Sequence, residues 1–272
     1  MDADTLPLLL EPEQLEAHLG DDQLMVVDLC KPQIYGKYHI PTALALDYAD
    51  LVHVEKPVTG LLPSAAHLNR ILSGLGLTRA SHVVAYDDEG GGKASRLLWT
   101  LAALGHGRWS LLNGGLHAWA NEGHSLESRP VHPQPESYTG GAADHVVAEK
   151  GYVLAHLDDP DVVLLDARTP QEFSGTKCLA ARGGHIPGAV NLNWLDTMDR
   201  RRNLRLLPAD RLRATLNGLG VTPDKEVITY CQSHHRSAHT FVMLKWLGFA
   251  KVKGYPGAWS EWGNHPGTPV ET

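Results

Sequence analysis

The sequence predicts an α/β protein built twice over, each copy a central parallel sheet with helices on both faces. Three observations predict it. Short apolar runs of strand character alternate with stretches of helical periodicity, the pattern of strand, crossover helix and parallel strand. Motifs of the first half return in the second half in the same order. Between the halves, Pro130-Val131-His132-Pro133-Gln134-Pro135 suits neither a helix nor an inner strand and reads as a stiff connection.

The first copy opens with a strand at 24–27 that ends on Asp28, followed by His39-Ile40-Pro41-Thr42-Ala43. A second strand at 83–86 runs into Asp87 and a helix ending at Leu104-Gly105. A third strand at 109–112 leads to Gly114-Gly115-Leu116-His117-Ala118-Trp119. The second copy repeats the series: a strand at 162–165 ending on Asp166, then His185-Ile186-Pro187-Gly188-Ala189. A strand at 227–230 runs into Cys231, and the helix after it carries Phe241, Val242, Leu244, Trp246 and Leu247 before Gly248. A strand at 251–253 and Gly257-Ala258-Trp259-Ser260-Glu261-Trp262 close it. The expected domains are 1–129 and 144–272, joined by a Pro/Gly-rich linker over 130–143.

A chain of 272 residues accommodates two such domains. Its three cysteines form no CxxC pair, which supports neither a disulfide framework nor a structural zinc site, and no metal is expected. The net charge of -7 argues against nucleic acid as a partner. Met1-Asp2-Ala3-Asp4 is acidic where a secretory signal is basic, and Leu8-Leu9-Leu10 is too short to span a bilayer. The expectation is a cytoplasmic monomer with no membrane partner. Arg200-Arg201-Arg202 with Arg205 reads as a solvated face without a partner. Trp119, Trp259 and Trp262 read as core anchors.

Cys231 stands apart from Cys30 and Cys178, which are expected to be inert packing or surface thiols. It lies where a buried strand hands over to a helix, so backbone N–H groups and the positive end of a helix dipole stabilise its thiolate. The polar Gln232, Ser233, His234, His235 and Arg236 follow it directly and would be costly to bury around an inert thiol. At the matching place the first copy has Asp87, Asp88, Glu89 and three glycines, a carboxylate cap without a nucleophile. His234 and His235 are adjacent, point apart and have no third ligand at fixed spacing, so they are not read as a metal site. His39 and His185 recur in both copies, with or without the cysteine, and are read as structural, as are Asp28 and Asp166.

The doubled His-Ile-Pro element, Asp166-Ala167-Arg168, the Cys231 loop and the closing Gly-Ala-Trp-Ser-Glu-Trp make the chain similar to tandem-domain rhodaneses over nearly its whole length. That resemblance implies two tandem rhodanese-like domains, the first inactive. It implies a sulfurtransferase in which Cys231 carries sulfur as a persulfide and Arg168 lies near the sulfur donor. No cofactor is implied beyond that covalent intermediate. Arg236 projects a second cation toward the mouth, and consecutive N–H groups from Gln232 to Ser237 form a cradle for an anionic sulfur. Trp194, after the second His-Ile-Pro, is placed at the entrance.

Two other chemistries border this one. Dual-specificity phosphatases of the cell-division-cycle type share the architecture but have Cys-x5-Arg, whereas Cys231 to Arg236 is Cys-x4-Arg, a narrower cradle better suited to one sulfur than to phosphate. A rhodanese-like binding module would have lost the nucleophile, which one copy retains. Among sulfurtransferases, basic residues directly after the cysteine accompany thiosulfate and a Cys-Gly-Ser-Gly-like loop accompanies 3-mercaptopyruvate. Gln232-Ser233-His234-His235 matches neither. Thiosulfate is expected because the pocket candidates are cationic, with cyanide or a thiol or dithiol as acceptor.

Overall fold

The computed structural model describes residues 6–272, so the acidic stretch Met1-Asp2-Ala3-Asp4 lies outside the described residues. The chain forms two compact units. The first takes the chain up to Leu51, then Pro63–Ala142 and Asp199–Leu206; the second takes Val52–Leu62, Ala143–Met198 and Leu207–Thr272. Each half of the sequence thus gives up a short arm. The contiguous segments 1–129 and 144–272 expected from the sequence do not include these exchanged arms, because hairpin-length arms carry no repeat or linker signal.

Along the first half run β1 (Leu9–Leu10), α1 (Pro12–His18), β2 (Leu24–Asp28), α2 (Pro32–Tyr35) and β3 (Leu44–Ala45). The antiparallel hairpin β4 (His53–Glu55) and β5 (Val58–Leu61) follows, then α3 (Ala65–Gly74), β6 (His82–Tyr86), α4 (Gly92–Ala103), β7 (Trp109–Leu112) and α5 (Gly115–Asn121). The second half has α6 (Lys150–Ala155), β8 (Val162–Asp166), α7 (Pro170–Phe173), β9 (Val190–Asn191), β10 (Met198–Asp199) and β11 (Arg205–Leu206). It ends with α8 (Ala209–Gly218), β12 (Glu226–Tyr230), α9 (Arg236–Trp246), β13 (Val252–Gly254) and α10 (Ala258–Trp262).

The first unit's sheet has the order β1-β7-β6-β2-β3 and the second unit's β13-β12-β8-β9, with every pair parallel. Strand periodicity explains why both faces are covered. Val26, Val84 and Tyr86 share one buried cluster with Leu15 of α1 and Leu116 and Trp119 of α5, while the intervening Val83 and Ala85 are buried on the side of α4. In the second unit Leu164, Ile228 and Tyr230 pack with Val153, Trp259 and Trp262. On the other face, Thr229 Oγ1 donates to the Ser237 carbonyl at the start of α9, 3.1 Å away.

The six strands read from the sequence are present, most of them a residue longer, and β13 is shifted by one. The two-residue edge strands β1, β3 and β9 are too short to leave a pattern. Gly105 and Gly248 cap their helices at φ of 71° and 89°. His39 and His185 bond through Nδ1 to the carbonyls of Tyr35 and Phe173, at 2.8 and 2.9 Å, which bears out their structural reading. Asp28 and Asp166 likewise accept the backbone N–H of Cys30 and Arg168.

Two expectations change. Arg205 is buried, not solvated: it pairs with Glu11 at 2.7 Å and with Glu122, so only Arg200, Arg201 and Arg202 of that basic stretch are exposed. Residues 130–142 are laid down on the first unit, with Tyr138 buried and its N–H on Ser73 Oγ (3.0 Å), and the Gly140 N–H on Asn69 Oδ1 (2.9 Å). Among the described residues no helix is long and apolar enough to cross a membrane.

Candidate active site

Cys231 follows the last residue of β12, and α9 begins five residues later at Arg236. The loop between them is held from outside by the start of α10, where Trp259 N–H donates to the Cys231 carbonyl and Ser260 N–H to the Gln232 carbonyl, both at 2.9 Å. With the Gln232 carbonyl turned outward, the N–H of Ser233 turns inward to the thiol, and the N–H of Ser237 joins it from the first turn of α9. His234 makes the turn at φ 53°, and its buried ring bonds through Nδ1 to Ser237 Oγ at 2.7 Å. With its proton on Nδ1 the imidazole donates to Ser237, which leaves the hydroxyl proton for the sulfur.

Cys231 is 1% exposed, and such burial by itself raises a thiol. The Arg236 guanidinium, the Ser237 hydroxyl and the N–H groups of Ser237 and Ser233 outweigh it and draw the thiol down to about 7. Arg236 is itself aimed by Glu172, whose two carboxylate oxygens each accept from it at 2.8 Å. Glu172 is 2% exposed; burial pushes its carboxyl up, but Arg236 and Thr169 hold it at about 2. Trp194 is buried with its edge against His235 and His239, ring centroids 5.7 and 5.6 Å away. Gln232 Nε2 donates to the Leu179 carbonyl at 3.1 Å.

The loop residues flank Cys231 and Trp194 packs against His235 of that loop, but Arg168 does not join them. Its Nη2 lies 2.6 Å from Asp166 Oδ2 and 2.8 Å from the Gly184 carbonyl, its side chain is 2% exposed, and its guanidinium lies 4.5 Å from the Trp259 ring centroid. Against the expectation that Arg168 offers its charge to a donor, its Nε and Nη2 bond inside the fold, where it ties β8 to the 184 turn and α10. In the first unit Asp87 accepts from the N–H groups of Glu89, Gly91 and Ala94 at 2.9, 2.8 and 3.0 Å. The cradle that faces sulfur in one unit is closed on a carboxylate in the other. Cys30 stands where the second unit has Arg168; burial first, then the charge of Asp28, pushes its thiol far up. Cys178 is exposed.

The rhodanese-like domain family matches the chain twice, over residues 11–122 and 149–265. The chain belongs to the rhodanese family. A thiosulfate sulfurtransferase of Pseudomonas aeruginosa is 44% identical, covering 98% of this chain and 97% of its own. Another thiosulfate sulfurtransferase, of Azotobacter vinelandii, is 43% identical over 98% of both chains. A probable 3-mercaptopyruvate sulfurtransferase of Pseudomonas aeruginosa is 34% identical over 97% of this chain and 98% of its own. With relatives of this activity along its whole length, the present rhodanese is a sulfurtransferase.

One residue of this rhodanese's site escaped the sequence reading. Glu172 carries a legible local signal, since Thr169-Pro170-Gln171-Glu172 is a capping box and its reciprocal bonds are present. Its second role, gripping Arg236 sixty-four positions later, arises only when α7 and α9 meet.

Proposed function

We propose that this rhodanese moves the sulfane sulfur of thiosulfate to cyanide or a thiol acceptor through a persulfide on Cys231. The observation that carries the reading is the environment of Cys231: a thiol held at about 7 inside a cradle of N–H groups, a hydroxyl and a guanidinium. The Cys231 thiolate attacks the outer sulfur of thiosulfate, a new S–S bond forms, and the bond to the sulfonate sulfur breaks with its electron pair leaving on sulfite. The remaining persulfide carries one negative charge on its outer sulfur, and the inward N–H groups stabilise it. Cyanide then attacks that outer sulfur; thiocyanate leaves and the thiolate is restored. Neither half-reaction requires a general base, only a thiol already ionised near neutrality.

Thiosulfate rests on the two relatives of that name at 44% and 43% identity and on Arg236, whose side chain keeps 18% exposure beside the sulfur. Arg168 no longer supports it. The test is the intact mass of the purified protein after thiosulfate and, separately, after 3-mercaptopyruvate, followed by cyanide. Thiosulfate should add one sulfur atom at Cys231, and cyanide should remove it. Loading by 3-mercaptopyruvate alone would exchange the donor and leave the transfer chemistry standing. Aryl phosphate hydrolysis should be negligible, because Arg236 is the first residue of a helix and is tied to Glu172, leaving a short loop closed around one sulfur. We read the enzyme as a cytoplasmic monomer without a cofactor, its oligomeric state to be measured by light scattering.

A further inference from the structure

We infer that the β4–β5 hairpin is a positioning device for the nucleophile, with Gly60 as its contact residue: it packs against the Ser233 backbone and so restrains the residue whose N–H faces the Cys231 sulfur. The inference rests on the reading of Cys231 as the nucleophile and adds residues distant in sequence from its loop.

A methyl group on Gly60 would stand 2.3 Å from the Ser233 carbonyl oxygen, 2.5 Å from its carbonyl carbon and 2.6 Å from its Cα. All three are backbone atoms, so no side chain can swing aside. The φ of Gly60 lies outside the left-handed region, so the glycine is not there for its backbone freedom. It is there because only a hydrogen fits against Ser233. The N–H of that same Ser233 is one of the donors that lower the Cys231 thiol. The hairpin thus meets the carbonyl side of the residue whose N–H meets the sulfur, one peptide further along the loop.

A second bond fixes the hairpin in that place. Thr59 N–H donates to Ser260 Oγ at 3.1 Å, and that hydroxyl donates to the Gly257 carbonyl at 2.9 Å. The N–H of Ser260 holds the Gln232 carbonyl. Ser260 thus ties hairpin and cysteine loop to the same turn of α10, and Gly60 and Ser260 grip consecutive loop residues, 233 and 232. A dipole in an anion cradle is effective only while it stays aimed; Ser260 restrains the peptide that carries it, and Gly60 bears on the peptide that follows.

The experiment measures the pH dependence of Cys231 alkylation by iodoacetamide, followed on the peptide containing residue 231 so that Cys30 and Cys178 do not contribute. The proteins are the parent, Gly60→Ala, Ser260→Ala, and Val54→Ala at an exposed position of the same hairpin. For Gly60→Ala the midpoint should move from about 7 toward the ordinary thiol value of about 8.5, lowering the rate at pH 7 roughly three- to tenfold and leaving it little changed at pH 9.5. Ser260→Ala, which adds no atoms, should shift it the same way by less, and Val54→Ala should not shift it. Persulfide loading by thiosulfate at pH 7 should fall in the same order. If Gly60→Ala does not fold, Ser260→Ala decides. Folded variants whose midpoints equal the parent's would overturn the inference while leaving sulfur transfer intact. Loss of loading with an unshifted midpoint would do so as well, assigning the hairpin to substrate access instead. A parent protein that alkylates with a midpoint near 7 but never loads sulfur would count against the proposed function and not against the hairpin.

Discussion

At the scale of the residue, the site is a balance around one sulfur. Burial raises the Cys231 thiol, and three kinds of group, a cation, a hydroxyl and backbone N–H, bring it to about 7. Cys231→Ser should abolish sulfur loading, because a serine hydroxyl is not ionised near neutrality, whereas Cys30→Ser and Cys178→Ser should leave it intact; intact mass after thiosulfate checks all three. The pH dependence has a definite sign. A thiol depressed from about 8.5 to about 7 makes its anion the favoured folded form. The first half-reaction should therefore rise with pH through about 7 and level off above it. The same linkage adds stability that is complete above about 8.5 and is lost as pH falls through 7. Glu172 repeats the argument lower: held at about 2, its contribution is present above its unfolded value of about 4.3 and fades on acidification toward 2. Urea midpoints across pH 2–9 should show both inflections, and Cys231→Ser should remove only the upper one.

At the scale of the element, Arg168 shows how a cation beside an active site can belong to the scaffold. Its side chain and that of Asp166 are 2% and 0% exposed, and the guanidinium joins β8 to the Gly184 carbonyl and the Trp259 ring of α10. Truncation leaves the Asp166 carboxylate buried without its ion pair, which costs about 3–5 kcal/mol. Arg168→Ala should therefore unfold at markedly lower denaturant, and whatever folded fraction remains should keep a near-parental KM for thiosulfate. A large rise in KM without loss of stability would return Arg168 to the donor's side. An element that does aim the site is α10: its first turn takes the carbonyls of Cys231 and Gln232, which turns the peptide bearing the Ser233 N–H toward the sulfur.

At the scale of the whole molecule, the duplication supplied two cradles and only one is open. In the first unit Asp87 fills the cradle with its own carboxylate, and Lys93 is neutralised by Asp88 and Glu89 at 3.6 and 3.4 Å. A cysteine placed there would lack the Arg236–Glu172 pair that lowers the thiol. Asp87→Cys should therefore load one sulfur atom from thiosulfate, at Cys231, and Asp87→Cys combined with Cys231→Ser should load none, as intact mass will show. Two sulfur atoms on the single variant would mean that N–H groups alone suffice.

The sequence by itself determined the repeated α/β architecture, the parallel character of its sheets and the candidate nucleophile, because these are written in local periodicity and in one cysteine followed by polar residues. It made the tryptophan anchors and the recurring histidines legible too, since a residue kept in both copies serves what the copies share. Tertiary structure alone decided the rest. Arg168 and Arg236 are the same residue type near the same loop, and only packing sends one into a buried ion pair and leaves the other beside the sulfur. Glu172, Gly60 and Ser260 act on the Cys231 loop from 28 to 173 positions away, a separation across which no periodicity carries information. Arg205 is buried for the same reason: its carboxylate partners, Glu11 and Glu122, lie 194 and 83 positions away. Local sequence fixes what a segment is, and the direction in which a charge or an N–H points is fixed by what packs behind it.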